Sequence, residues 1–441
     1  MKDSIIKIYA ILSILAFLLA KATSLFGSNL PAQVDNSKLK FFPPLIKQLH
    51  NSCGQASGCY YAFTYEINCL RNTAADSESR RYPTHFTYNF LNSGKDMGTL
   101  SEAGWRAIRS IGVPSIKDYG SIYKEDTTFW MSGYRKYFNA LHNRIKSYRD
   151  IDFLKPESLD ILKNWLYNHE GKQKGAGGVA VFRAGVRKAK ISKAAGGKHL
   201  YTSFKAKGGH FMTIAGYNDN ISYDFNGDGK ITNNIDINGD GKINLKDYER
   251  GAFLIVNSHG KKWYDKGKIY VPYRLLAIPV KDGGIFHNKV QTIEVENYTP
   301  TMTLRLKFSF SDRKKLRLTV SSRQKTHLGW EEYSIQPRMF SEFWGSGNFP
   351  MRGKYNHEPI ELCIDISKIR DFLKTHSKAG LNISFTPQDK TATGKIISAD
   401  LVIHEQNNSD KFINILSETT NITTNGVTIK LECKKITYLK S

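Results

Sequence analysis

The stretch HNSCGQASGCYYAFTYEIN, residues 50–68, sets two cysteines six apart beside an apolar stripe of Ala56, Tyr60, Phe63 and Ile67. That stripe has helical spacing. Asn51 or Ser52 suits the N-cap, which predicts Cys53 in the first helical turn. Free amide N–H groups and the helix dipole there favour a thiolate. Cys59 falls about two turns further on, within the apolar face, where a thiol is expected to be buried and inert. Cys69 lies on the opposite side of the helical wheel and is expected to be partly exposed.

A nucleophilic thiol needs a base, and the base needs an orienting group. KGGHFMTIAGYND (207–219) puts His210 after two glycines at the mouth of an apolar strand. GAFLIVNSHGKKWYDKGKIYVPY (251–273) ends an apolar strand at Asn257, followed by a tight Ser-His-Gly turn. A carboxamide oxygen there is suited to accept from the imidazole and hold one tautomer. Taken singly, His210 reads as a structural strand-start residue and Asn257 as a turn former. Their joint order behind a capping cysteine is what points to chemistry.

At these residues the chain resembles the papain-like cysteine peptidases. The likeness covers about residues 40 to 280 and includes YAFTYEIN (61–68) and GTLSEAGWRAIRSIGV (98–113). It implies a two-lobed α+β fold with Gln48 in the oxyanion hole, Cys53 as nucleophile, His210 as base and Asn257 as orienting amide. It also implies peptide hydrolysis through a thioester. Gln48 stands five residues before Cys53, where the family usually has six. The family's aromatic signature has its nearest echo after Cys59, so Cys59 competes for the nucleophile's place. His259 stands where the family has a tryptophan that shields the His–Asn bond.

The His–Asn interval carries an insertion, DFNGDGKITNNIDINGDGKINLKDYE (224–249), with D-x-N-x-D-G-x-I twice. Calcium takes several oxygens on a tightly turned loop with Gly at the sixth place. The second copy offers Asp236, Asn238, Asp240, the Lys242 carbonyl and Asp247 at position twelve. The first offers Asp224, Asn226, Asp228, the Lys230 carbonyl and Thr232, with Ile235 at the twelfth place and Asp236 to be borrowed for closure. These resemble the loops of EF-hands and dockerins. The expected cofactor is structural Ca2+, with no organic cofactor. The competing reading is a pair of Asx-Gly turns in a β-hairpin.

Residues 1–25 read as a signal peptide. Lys2 and Lys7 precede an apolar run from Ile8 to Ala20, too short for a comfortable span, and small residues follow. The mature chain is expected to be secreted or periplasmic, without a membrane anchor. Five cysteines leave at least one without an internal partner, and Cys363 and Cys433 lie in strand-like segments where a pairing is open to them. A net charge of +24 favours anionic partners such as acidic proteins, surfaces or glycans. No Arg-rich arm or RNP-like motif supports specific nucleic-acid binding.

The expected organisation is a linker at 26–40, a catalytic unit at 41–284 with the calcium-loop insertion at 219–249, and a β-sandwich at 285–441. Helical stripes run at 53–71, 101–111 and 157–168, with Ser101 as an N-cap and Gly112 closing its helix. LRLKFSFSD (304–312) and KKLRLTVS (314–321) both alternate and read as a hairpin. Two functions follow. One is an exported, calcium-stabilised cysteine peptidase acting on proteins or peptides. The other is a catalytically degenerate, calcium-dependent binding or adhesion protein. An acyl transferase is disfavoured, because such enzymes commonly use Asp where Asn257 stands.

Overall fold

The computed structural model describes residues 30–172, 175–194, 196–341, 347–376, 378–405 and 409–431. Residues 1–25, read above as a signal peptide, and Cys433 lie outside the described residues. Two structural regions meet along the chain, a helical lobe and a closed sheet, and a pair of antiparallel sheets follows them.

The helical lobe is built on one composite helix. It starts as α-helix at Cys53–Gln55, widens to a π-helical segment at Ala56–Phe63 and returns to α-helix at Thr64–Leu70. Nearly every residue of it is buried, so packing rather than propensity holds it. Helix Ser101–Ile111 crosses it closely at two small residues. The Ser101 hydroxyl donates to the Gly54 carbonyl at 2.8 Å and the Trp105 indole to the Gly58 carbonyl at 3.0 Å. Leu100, not Ser101, is the N-cap of that helix, because the Ser101 hydroxyl is spent on this contact. Gly112 ends it at φ +68°.

The second region is an eight-stranded sheet. Strands Ala180–Lys193, His199–Lys205, Gly209–Ser222, Arg250–Val256 and Lys268–Pro272 close on themselves, because Ala180–Lys193 pairs with both His199–Lys205 and Gly209–Ser222. The ring encloses a separate apolar core that includes Phe182, Met212, Ile214, Phe253 and Ile269. Two expectations of chain organisation change here. Gln33–Asp35, read as linker, pairs as an edge strand with the His210 strand. Lys289–Asn297, assigned to the C-terminal unit, belongs to this sheet through Asn143–Asp152 and Ala180–Lys193.

The C-terminal sheets overturn the expected hairpin. Met302–Phe310 pairs with Ile360–Asp365 and Gly394–Ile403, whereas Leu316–Thr326 pairs with Gly329–Ile335 and Gly380–Pro387. The turn between the two alternating runs therefore steps from one sheet to the other. Alternation reports which face of a strand is buried; it does not identify the hydrogen-bonding neighbour. The inward faces meet, with the rings of Phe308 and Phe385 5.2 Å apart across the sheets. Their core is continuous with that of the helical lobe. At the seam Arg313 is buried, stacks on Trp130 at 4.3 Å and donates to the Thr128 carbonyl at 2.7 Å.

Candidate active site

His210 is the second residue of strand Gly209–Ser222, and Asn257 follows directly on strand Arg250–Val256. Thr213 faces Val256 across that antiparallel ladder, so both side chains emerge at the same end of neighbouring strands. The His210 Nε2 lies 2.8 Å from Asn257 Oδ1. That oxygen also accepts the Ser258 N–H at 2.7 Å. It is therefore an acceptor, Nε2 carries the proton, and Nδ1 is left as the basic nitrogen. Both residues are buried. Burial pulls the His210 pKa below the usual histidine value against the opposing hydrogen bond from Asn257.

Cys53 starts its helix against this strand. Ser52 is the N-cap but makes no side-chain capping bond, since its hydroxyl donates to the Leu49 carbonyl at 2.6 Å. The thiol's environment includes the backbone N–H of Phe211, the residue after His210, and that of Gly54. The expected acidification is not the net result. Burial raises the thiol pKa above its ordinary value and outweighs those N–H groups and the nearby Arg183 guanidinium. Among the described residues no hydrogen bond joins the Cys53 sulfur to His210.

Cys59 is fully buried, donates weakly to the Pro83 carbonyl at 3.5 Å and has a pKa pushed up to about 12 by burial. It faces the helical core rather than His210. Cys69, expected to be partly exposed, is buried at 1% exposure, and the exposed place at the end of this helix belongs to Leu70. Cys363 is buried as a thiol, and Cys433, with which a pairing was open, is outside the described residues.

Gln48 is tied to the Asn257 turn. Its N–H donates to the Ser258 carbonyl at 2.8 Å, and its side-chain oxygen accepts the Ser258 hydroxyl at 2.6 Å. The carboxamide nitrogen is thereby oriented away from Ser258. One of its protons goes to the His50 carbonyl at 3.0 Å, which leaves the second as a donor. Tyr61, inside the π-helical segment, accepts from the Ile46 N–H at 3.0 Å and donates to the Asn257 carbonyl at 3.4 Å. It links the cysteine helix to both flanking loops. Neither Ser258 nor Tyr61 stood out in the sequence, because a serine in a turn and a tyrosine in an apolar run each have a plain structural reading.

His259 is stacked on His210, with ring centroids 4.8 Å apart and 4° between planes, and Trp263 lies beyond it at 5.5 Å. Burial against these rings, then the charges of His210 and Lys47, hold its pKa well below the usual histidine value.

The two loops of the insertion have the same internal geometry. Asp224 accepts from the Gly227 and Gly229 N–H groups at 2.6 and 2.9 Å; Asp236 accepts from Gly239 and Gly241 at 2.7 and 2.8 Å. Gly229 and Gly241 both have φ +78°, which a side chain would strain. Asp247 is fully buried and receives the Ile237 and Asn244 N–H groups. In the first loop the corresponding N–H groups, Phe225 and Thr232, go to Glu249 at 2.7 and 3.1 Å. Glu249 thus takes the place expected of Thr232 or a borrowed Asp236. Among the described residues no three His, Cys, Asp or Glu side chains converge as a metal-binding cluster.

No family model and no curated protein matches the chain. Among solved structures it is similar to xylellain, a cysteine protease from Xylella fastidiosa, at 16% identity over 62% of this chain and 88% of that one, with a TM-score of 0.40. It is similar to digestive procathepsin L 3 of Tenebrio molitor larval midgut at 13% identity, over 61% and 71%, with a TM-score of 0.39. It is also similar to the bromelain protease from Ananas comosus at 12% identity, over 60% and 100%, with a TM-score of 0.37.

Proposed function

We propose that this chain is a cysteine peptidase with Cys53 as nucleophile, His210 as general base and acid, Asn257 as the group that orients the imidazole, and Gln48 as an oxyanion donor. The observation that carries the reading is the 2.8 Å contact between His210 Nε2 and Asn257 Oδ1, on a strand whose next residue lies against the Cys53 thiol. With Nε2 held by the amide, Nδ1 takes the thiol proton. Sulfur adds to the substrate carbonyl, and the oxyanion is met by the Gln48 carboxamide and the Cys53 N–H. The intermediate collapses, the C–N bond breaks, and His210 protonates the leaving amine. Water then attacks the thioester with His210 as base.

The same reading places the chain outside the cytoplasm after removal of residues 1–25, and makes the C-terminal sheets a β-sandwich. Calcium is part of the proposal. Asp224, Asn226, Asp228, the Lys230 carbonyl and Glu249 fit one ion; Asp236, Asn238, Asp240, the Lys242 carbonyl and Asp247 fit a second. The support is the repeated turn, with its two positive-φ glycines and one buried closing carboxylate per loop. Each set includes three carboxylates, which do not converge as a cluster among the described residues, so binding would have to draw them together. Bound calcium would stiffen the segment that leads into the Asn257 strand.

His259 in the place of the family's tryptophan, and Gln48 only five residues before Cys53, support the second reading, a degenerate binding protein. Labelling with an epoxide of the E-64 type, followed by peptide mapping, separates the two. Modification of Cys53 that disappears in Cys53→Ala supports the peptidase. Absence of modification on every cysteine supports the binding protein.

A further inference from the structure

We propose that Arg183 recognises a carboxylate on the substrate, so that the enzyme cuts next to acidic groups; this rests on the peptidase reading above. Arg183 stands opposite Phe211 in the ladder between strands Ala180–Lys193 and Gly209–Ser222. Its guanidinium lies over the exposed Gly209, the residue just before His210. A Cβ built on Gly209 would come within 2.6 Å of both Nε and Nη2. Glycine at that place leaves the guanidinium room at the lip of the site.

Phe211 and Phe286 flank the guanidinium, at 5.7 and 5.1 Å from their ring centroids. These rings hold the cation in place without neutralising it. Its Nε is buried and has no hydrogen-bond partner among the described residues. A buried donor without a partner is costly; no protein group among the described residues neutralises this cation, and the side chain as a whole is only half-buried. The charge also reaches the Cys53 thiol, on which it is one of the acidifying influences. Gly209 directly precedes His210, so a cation lying over it is within reach of a residue beside the scissile bond.

The surrounding sequence has the same sign. Between Glu170 and Asp219 there is no acidic residue, while Arg187, Lys188, Lys205 and Lys207 follow on the paired strands and the turn before His210. All four are exposed. This part of the chain beside His210 is therefore positive and attracts acidic peptides over a distance. At short range the planar guanidinium matches a carboxylate through two parallel hydrogen bonds.

The test is a peptide library digested by wild type, Arg183→Gln and Arg183→Lys, with Asp, Glu, Asn and Gln at each position flanking the cut. Each peptide is made with a free and with an amidated C-terminus. Wild type is expected to favour an acidic residue over its amide by about tenfold in kcat/KM. Arg183→Gln should bring that ratio close to one, with turnover of acidic and neutral peptides both lowered by loss of a charge that acidifies the thiol, and Arg183→Lys should retain part of the ratio. A preference that vanishes on C-terminal amidation identifies the carboxylate as terminal; one that survives identifies it as a side chain. Turnover by wild type without an acidic preference, or an unchanged ratio in Arg183→Gln, overturns the assignment and leaves the peptidase reading intact. Absence of both turnover and epoxide labelling in wild type removes the peptidase reading, and this inference with it.

Discussion

The imidazoles of His210 and His259 lie parallel, 4.8 Å between centroids, so the proposed base is capped by a second titratable ring. Protonating both would place two cations face to face. Each has a pKa below the usual histidine value, first from burial. Below about pH 6.5 the unfolded chain binds these protons more readily than the folded chain, so stability falls as pH drops through that range. His259→Phe keeps a ring over His210 and removes one of the two groups. Its melting temperature should decline less between pH 7 and pH 4.5 than that of wild type. An equal decline would show that the stack does not contribute to acid sensitivity.

A buried pair ties the cysteine helix to the closed sheet. His169 Nε2 lies 2.8 Å from Glu66 Oε2, while Glu66 Oε1 accepts the Val179 N–H at 2.8 Å. Burial disfavours the His169 cation, but the Glu66 charge and hydrogen bond prevail and raise its pKa. This stabilisation is present in full below the unfolded value of about 6.5 and is lost as pH rises through the folded value. Glu66→Gln should cost about 3 kcal/mol at pH 6. It should also flatten the fall in stability on the alkaline side, read from urea denaturation across pH.

Gly54 follows Cys53 where the helix touches the Thr99 backbone. A Cβ there would meet the Thr99 carbonyl oxygen at 2.1 Å. Gly54→Ala should destabilise by about 1–3 kcal/mol and slow epoxide labelling of Cys53, because backbone on both sides has to move. A labelling rate equal to wild type would place this contact outside the reactive geometry.

Calcium is expected to raise the melting temperature, and EDTA to lower it. At a hundredfold excess over the dissociation constant, one ion adds about 2.7 kcal/mol. Terbium luminescence should report two sites. Glu249→Gln should weaken one of them and Asp247→Asn the other. A single site that Glu249→Gln leaves untouched would exclude Glu249 as the closing ligand.

The sequence was most readable where one residue type has few uses. A histidine behind two glycines and an asparagine ending an apolar strand suggest partners at neighbouring strand ends, and His210 and Asn257 are hydrogen-bonded there. The alternation at 304–321 identified strands but not their neighbours. Strand Asn143–Asp152 was hidden by its charges, since only one face is covered. Glu249 escaped notice because it lies far outside the twelve-residue frame of its loop and reaches Phe225 only through the fold. The thiol's acidity was misjudged because a helix-end argument omits the burial supplied by distant residues.

The seam at Trp130 and Arg313 bears on how the chain can be cut down. Trp130 and Tyr134 present one side of the helical lobe to the C-terminal sheets, where the Tyr134 hydroxyl meets Thr303 and the Gly133 N–H donates to the Glu361 carbonyl. Ending the polypeptide at Asn297 would strip the lobe of its outer wall and wet an aromatic surface. A protease nick between the halves should therefore leave two fragments that migrate as one particle, and a shortened recombinant version should be insoluble instead of minimal.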